Sequence, residues 1–138
     1  MKTLLFLLLA LFIASPAFAQ VPNDEARPEL SPGQVWTIEG EGQAAARLTI
    51  QRIEPWGELE AVHVSLTGVS APPGIRFNGV IGHLPFERTA LENSLGTLVG
   101  TDGAMTATFE EGYAEWQAAN GGLFELPVAE VIDVIFGR

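Results

Sequence analysis

Ala46-Arg47-Leu48-Thr49-Ile50-Gln51-Arg52-Ile53, then Glu54-Pro55-Trp56-Gly57-Glu58, then Leu59-Glu60-Ala61-Val62-His63-Val64-Ser65-Leu66: this stretch decides the fold. In its first run Ala46, Leu48 and Ile50 alternate with Arg47, Thr49 and Gln51. In its last run Val62, Val64 and Leu66 alternate with His63, Ser65 and Thr67. Period two with one polar face is the pattern of a half-covered antiparallel sheet. Ile53 breaks the phase, which predicts a bulge or strand end near Arg52. Pro55-Trp56-Gly57 predicts a tight turn, so the two runs form an antiparallel hairpin with Leu48, Ile50, Val62 and Val64 buried. A symmetric turn over residues 54–58 sets Thr49 opposite His63 and Arg47 opposite Ser65.

Upstream, residues 34–39 alternate with Trp36 and Ile38 on one face, and Gly40-Glu41-Gly42 is a turn. Trp36 is expected to anchor the core. Downstream, residues 68–74 read as loop and residues 75–82 as a short, irregular fourth strand weakened by Gly79 and Gly82. Helical spacing begins at Pro85, with Phe86, Ala90, Leu91, Leu95 and Leu98 on one stripe and Gly100 as the stop. Thr108 and Glu111 have capping-box spacing. The helix they open carries Phe109, Tyr113 and Trp116 on one side and ends at Asn120-Gly121-Gly122. Residues 123–126 are a short strand, and Pro127 starts a last helix with Val128, Val131, Ile132 and Ile135 on one face. Strands first and helices later predict an α+β fold. Its antiparallel sheet has three to five strands in the N-terminal half of the mature chain, with about three helices packed on one face.

The first residues read as a cleavable signal peptide. Lys2 supplies the positive start, residues 4–14 the apolar run, Ser15-Pro16 the break, and Ala17-Phe18-Ala19 the small-x-small cleavage site. As a helix that run spans about 16 Å, short of a bilayer core of about 30 Å. The expected organisation is therefore a signal peptide at 1–19, a flexible proline-rich lead-in at 20–33 and a single α+β domain at 34–138. The expected location is periplasmic or secreted, with no membrane attachment after cleavage. The chain has no cysteine, so it carries neither a disulfide nor a lipid-bearing cysteine, and its stability must come from packing.

The net charge is −10 for the whole chain, one unit more negative once Lys2 leaves with the leader. That balance disfavours nucleic acid and anionic membrane as partners and suits either solubility alone or a cationic partner. Arg47, Thr49, His63 and Ser65 project from one face of the hairpin and form a polar patch with a cation, which is either a site for a small anion or carboxylate, an ordinary solvated sheet face, or a face covered by a segment with its own polar groups. Glu111, Tyr113, Glu115 and Trp116 on one helix suggest an acidic surface with aromatic anchors for a basic partner.

No catalytic constellation and no metal site is expected, and no cofactor is implied. A metal centre needs three or four converging ligands. His63 and His83 are the two histidines. Glu60 and His63 lie three apart on a strand and face opposite ways, while Pro85 disfavours a helix joining His83 to Glu87. Ser65 is two residues from His63 on the same strand face, about 7 Å away and too far for a direct hydrogen bond.

Val35-Trp36, Leu48-Thr49-Ile50, Val62-His63-Val64-Ser65, His83-Leu84-Pro85-Phe86, Glu111-Gly112-Tyr113 with Trp116, and Gly122-Leu123-Phe124 with Val128 occur in an order that resembles a group of small uncharacterised bacterial exported proteins and lipoproteins. The resemblance implies an envelope location and one compact domain, and it supplies neither a substrate nor catalytic residues. The leading reading is an exported soluble binding or interaction protein. The alternatives are a small periplasmic enzyme using the Arg47/His63/Ser65 face, and an inhibitor or immunity-type protein for a basic partner.

Overall fold

A computed structural model describes residues 27–138. The expected signal peptide and the first part of the lead-in lie outside the described residues. The elements run β1 (Val35–Ile38), β2 (Arg47–Trp56), β3 (Leu59–Thr67), β4 (Ile81–Glu87), α1 (Arg88–Glu92), β5 (Leu95–Gly100), α2 (Ala107–Ala118) and α3 (Val128–Ile135). The strands form one five-stranded antiparallel sheet in the order β4-β3-β2-β1-β5, and the fold is α+β. Among the described residues, no helix is long and apolar enough to cross a membrane.

The β2–β3 hairpin is formed as expected, but its register differs. Both strands run on until Trp56 faces Leu59, and Gly57, with φ +59°, takes the left-handed conformation that the tight turn requires. This recentres the pairing, so Thr49 faces Ser65, Arg47 faces Thr67 and Arg52 faces His63. The bulge lies between Ile50 and Arg52, beside the expected position. It lets Ile53 rejoin the apolar face of Leu48 and Ile50. It also leaves Gln51 pointing to the other face, where its Nε2 donates to Ser65 Oγ at 2.9 Å and to the Ala104 carbonyl at 3.0 Å.

The expected placing of all helices on one face is corrected. Residues 61–66 of β3 are all buried, because both faces of the sheet are covered. One face carries Trp36, Leu48, Ile50, Val62, Val64, Leu66, Leu84 and Phe86, packed with Leu91 of α1 and with Val128, Val131 and Ile132 of α3. The other carries Thr49, Ala61, His63 and Ser65 and lies beneath α2 and the segment before it. An alternating strand shows which residues share a face, and it does not show that the polar face is open.

The helix expected from Pro85 to Leu98 is a single turn, α1, flanked by two strands. Glu87 caps it by accepting from the backbone N–H groups of Thr89 and Ala90 at 3.0 and 3.1 Å. Beyond Asn93 the chain leaves the helix, since Thr97, Leu98 and Val99 suit a strand and β1 offers a ladder. Pro85 lies inside edge strand β4. Its carbonyl accepts from Phe124 N at 2.9 Å, and Glu87 N donates to Phe124 O at 3.0 Å, so residues 85 and 87 turn their backbone polar groups away from β3. The missing N–H of Pro85 therefore costs the sheet no ladder bond. This contact is an isolated parallel bridge, Phe86 with Phe124, where a short strand was expected.

Residues 27–33, expected to stand outside the core, are tied to it. Leu30 is buried, Gly33 N donates to the Ile50 carbonyl at 2.8 Å, and Gln34 Nε2 donates to the Glu29 carbonyl at 2.9 Å. Pro127 is the N-cap of helix α3 and provides no side-chain cap. Ser94 fills that role from across the core, its Oγ accepting from Val128 N at 3.0 Å.

Candidate functional site

Helix α2 begins two residues before the expected capping box. Thr106 is the cap, its Oγ1 accepting from Phe109 N at 3.2 Å. The helix ends in a Schellman motif: Gly121 N donates to Trp116 O at 2.9 Å, Asn120 N to Gln117 O at 3.2 Å, and Asn120 holds φ +49°. Phe109 and Tyr113 are buried against the sheet and Trp116 is half-buried, which confirms their shared side. Gly112, a poor helix residue, is explained by close approach, since a Cβ there would lie 2.7 Å from the Cβ of His83. Backbone and strand meet at that point, and only glycine lets them.

Under α2 lies a continuous polar chain. Glu54 Oε1 stands 3.1 Å from His63 Nε2, and His63 Nδ1 stands 2.8 Å from His83 Nε2. Tyr113 donates its hydroxyl to Glu54 Oε2 at 2.8 Å and accepts from Gln117 Nε2 at 3.0 Å. The guanidinium of Arg52 lies over the Tyr113 ring, 4.3 Å from its centroid. The rings of Tyr113 and Trp116 meet His63 edge-on, with centroids 4.9 and 4.6 Å away.

The direction of the chain follows from its end. A carboxylate only accepts, so His63 Nε2 carries a proton and donates to Glu54. A neutral His63 then has a bare Nδ1, which accepts from His83 Nε2–H and leaves His83 Nδ1 as the bare terminal nitrogen. Neutrality is enforced by burial. His83 is pushed down from 6.5 to about 4 by burial and then by the neighbouring His63. His63, fully buried, is also lowered by burial, which outweighs the raising effect of Glu54.

Trp116 separates two clefts. One, of about 380 Å³, is lined by Glu54, Pro55, Trp56, Trp116, Gln117, Asn120 and Gly121. The other, of about 490 Å³, lies between β4 and the C-terminal end of α2; its walls are Leu84, Pro85, Leu123, Phe124, Gly122 and Trp116, with His83 as the one titratable side chain. Trp116 is fixed by Nε1 donating to the Gly122 carbonyl at 3.0 Å and by its contact with Trp56, at 5.0 Å between centroids. A Cβ on Gly121 would overlap the Trp116 ring. Gly121→Val is therefore expected to displace that ring and to lower stability by about 1–3 kcal/mol, read as a shifted tryptophan emission and a lower denaturation midpoint.

The patch expected from Arg47, Thr49, His63 and Ser65 is not assembled as one open surface. Thr49 and Ser65 are cross-strand partners, but Ser65 and His63 are buried under α2 and the segment before it. Arg47 turns to the Ala44 and Ala46 carbonyls at 3.1 and 2.8 Å. Both ring nitrogens of His63 are engaged, leaving neither to deprotonate Ser65. Glu111, Tyr113, Glu115 and Trp116 also divide. The two glutamates are exposed, while Tyr113 and Trp116 turn toward the sheet.

Glu60 pairs with Arg88 and Glu87 caps α1, so neither faces a histidine. Among the described residues, no group of three or more metal-ligating side chains converges. The two imidazoles meet nitrogen to nitrogen at 2.8 Å, closer than two ligands about 2.0–2.1 Å from a shared zinc would stand. Sequence reasoning missed Glu54, His83, Arg52 and Gln117 as members of the cluster, and no spacing among them signals it. The chain matches no protein-family model, no curated protein and no solved structure.

Proposed function

We propose that this is an exported binding protein, acting in the periplasm or outside the cell, that takes a small and largely apolar molecule in the cleft between β4 and the end of α2. The observation that carries this reading is the cleft itself. Its volume of about 490 Å³ falls in the range of small-molecule sites, and its walls are apolar except for His83. The wall is pre-formed, since the Phe124 bridge to Pro85 and Glu87 and the Trp116 bond to Gly122 satisfy the backbone around it. The leader-like sequence at 1–19 supports the location. The acidic balance disfavours anionic ligands.

Naphthalene derivatives test the reading. Titrated into the mature protein, they are expected to shift the amide resonances of residues 83–86, 116 and 122–124. Gly122 lines the cleft, and a Cβ there meets no atom within 4 Å, so Gly122→Phe is expected to be accepted by the fold and to obstruct the cleft. That variant is expected to keep its melting temperature and to lose the shifts. Shifts that are absent in the parent, or unchanged in Gly122→Phe, would overturn the reading.

A further inference from the structure

The polar chain beneath α2 has a direction, and its last member, His83, lines the apolar cleft. Among the described residues His83 Nδ1 has no hydrogen-bond partner, and no fully buried side-chain nitrogen or oxygen lacks one. That nitrogen is therefore within reach of solvent or of a ligand. His83 is also one of the residues lining the cleft. We propose that His83 Nδ1 is the recognition atom of the cleft, accepting a hydrogen bond from the hydroxyl of a neutral ligand whose remaining body is apolar, as in a phenol or naphthol. This rests on the binding reading above and names the ligand class for it.

Three features select that class. Glu54 fixes the protons of both imidazoles, so the terminal nitrogen presents a lone pair and not an N–H. Each imidazole in the chain polarises the next, which makes the last nitrogen a better acceptor than an isolated one. No carboxylate, lysine or arginine lines the cleft, so an ionised ligand would bury its charge unpaired. Glu54 and His63 do not touch the ligand. They are positioning residues that hold the tautomer of His83.

The test compares naphthol with its methyl ether, which has the same ring and no donor. Naphthol is expected to bind the mature protein about threefold to tenfold more tightly, the worth of one net hydrogen bond. In ¹⁵N spectra of the parent protein, His83 Nδ1 is expected to resonate as a bare nitrogen and to move with naphthol but not with the ether. His83→Phe keeps a ring in place and is expected to bind both compounds with equal affinity. Equal affinities in the parent protein, with both lost in Gly122→Phe, would leave the cleft standing and overturn the role of His83. A protonated Nδ1 in the spectra would overturn it too, and needs no variant to fold. Failure of both compounds to bind would remove the cleft reading itself.

Discussion

Replacing Trp36 by alanine is expected to lower the unfolding free energy by about 3–5 kcal/mol, read as a clear fall in the denaturant midpoint. Trp36 is 2% exposed in the middle of the apolar face and belongs to the cluster that joins the sheet to α1 and α3. Alanine would leave a cavity among side chains held by a strand on either side, since Trp36 pairs with Leu48 in β2 and with Leu98 in β5. Its indole N–H donates to Gln34 Oε1 at 3.2 Å, and Gln34 also accepts from Ser31 N, so the loss is mainly one of packing. Val99→Ala, on an exposed position of β5, is the control and is expected to change stability by no more than about 0.5 kcal/mol. Equal midpoints for the two variants would show that Trp36 does not anchor the core.

Acid is expected to destabilise the protein well before its carboxylates are all protonated. His83 is neutral in the folded chain down to about pH 4, whereas in the unfolded chain it takes up a proton near 6.5. Between those values the unfolded state binds more protons, so stability falls as the pH falls. The contribution is present in full above about pH 6.5 and is lost by pH 4. For His83 the loss is on the order of 2–3 kcal/mol. His63 is lowered in the same direction and adds to the slope. The charges facing the pair are Glu54 and Arg52 from β2. Glu54 favours a charged His63, while burial and, less strongly, Arg52 oppose it and together prevail. Tyr113 meets the pair from α2. Denaturation midpoints between pH 7 and pH 4.5 measure the slope, and His83→Phe is expected to flatten it. A parent protein with a flat profile over that window would mean that the histidines accept protons inside the fold.

The hairpin, the bulge, the anchoring tryptophan and the α+β class were legible because alternation and turn residues act over a few residues. The aromatic side of α2 and the start of α3 at Pro127 were legible for the same reason. The hairpin register was not, because it depends on whether the turn holds five residues or two, and Trp56 and Leu59 extend the ladder in a way that periodicity does not show. Strand β5 was hidden because Leu91, Leu95 and Leu98 fit a helix as well as a strand, and the choice is made by β1, far away in the chain. The polar cluster was hidden for a related reason. Glu54 becomes a neighbour of His63 only through the bulged register, and His83 reaches His63 only through β4, whose strand pattern in the sequence fades at Gly82.

The position of β1 between β2 and β5 also constrains how the chain reaches its fold. Val35 pairs with Thr49 on one side and with Gly100 on the other. The first partner is local, while the second closes a long loop, and loops of that kind slow folding because their entropy is lost before their contacts form. The first strand therefore holds one open edge until the last has emerged. A chain that emerges N-terminus first keeps β1 half-paired until then, in a state open to chaperones and to other strands. The sheet becomes complete only when residues 95–100 arrive.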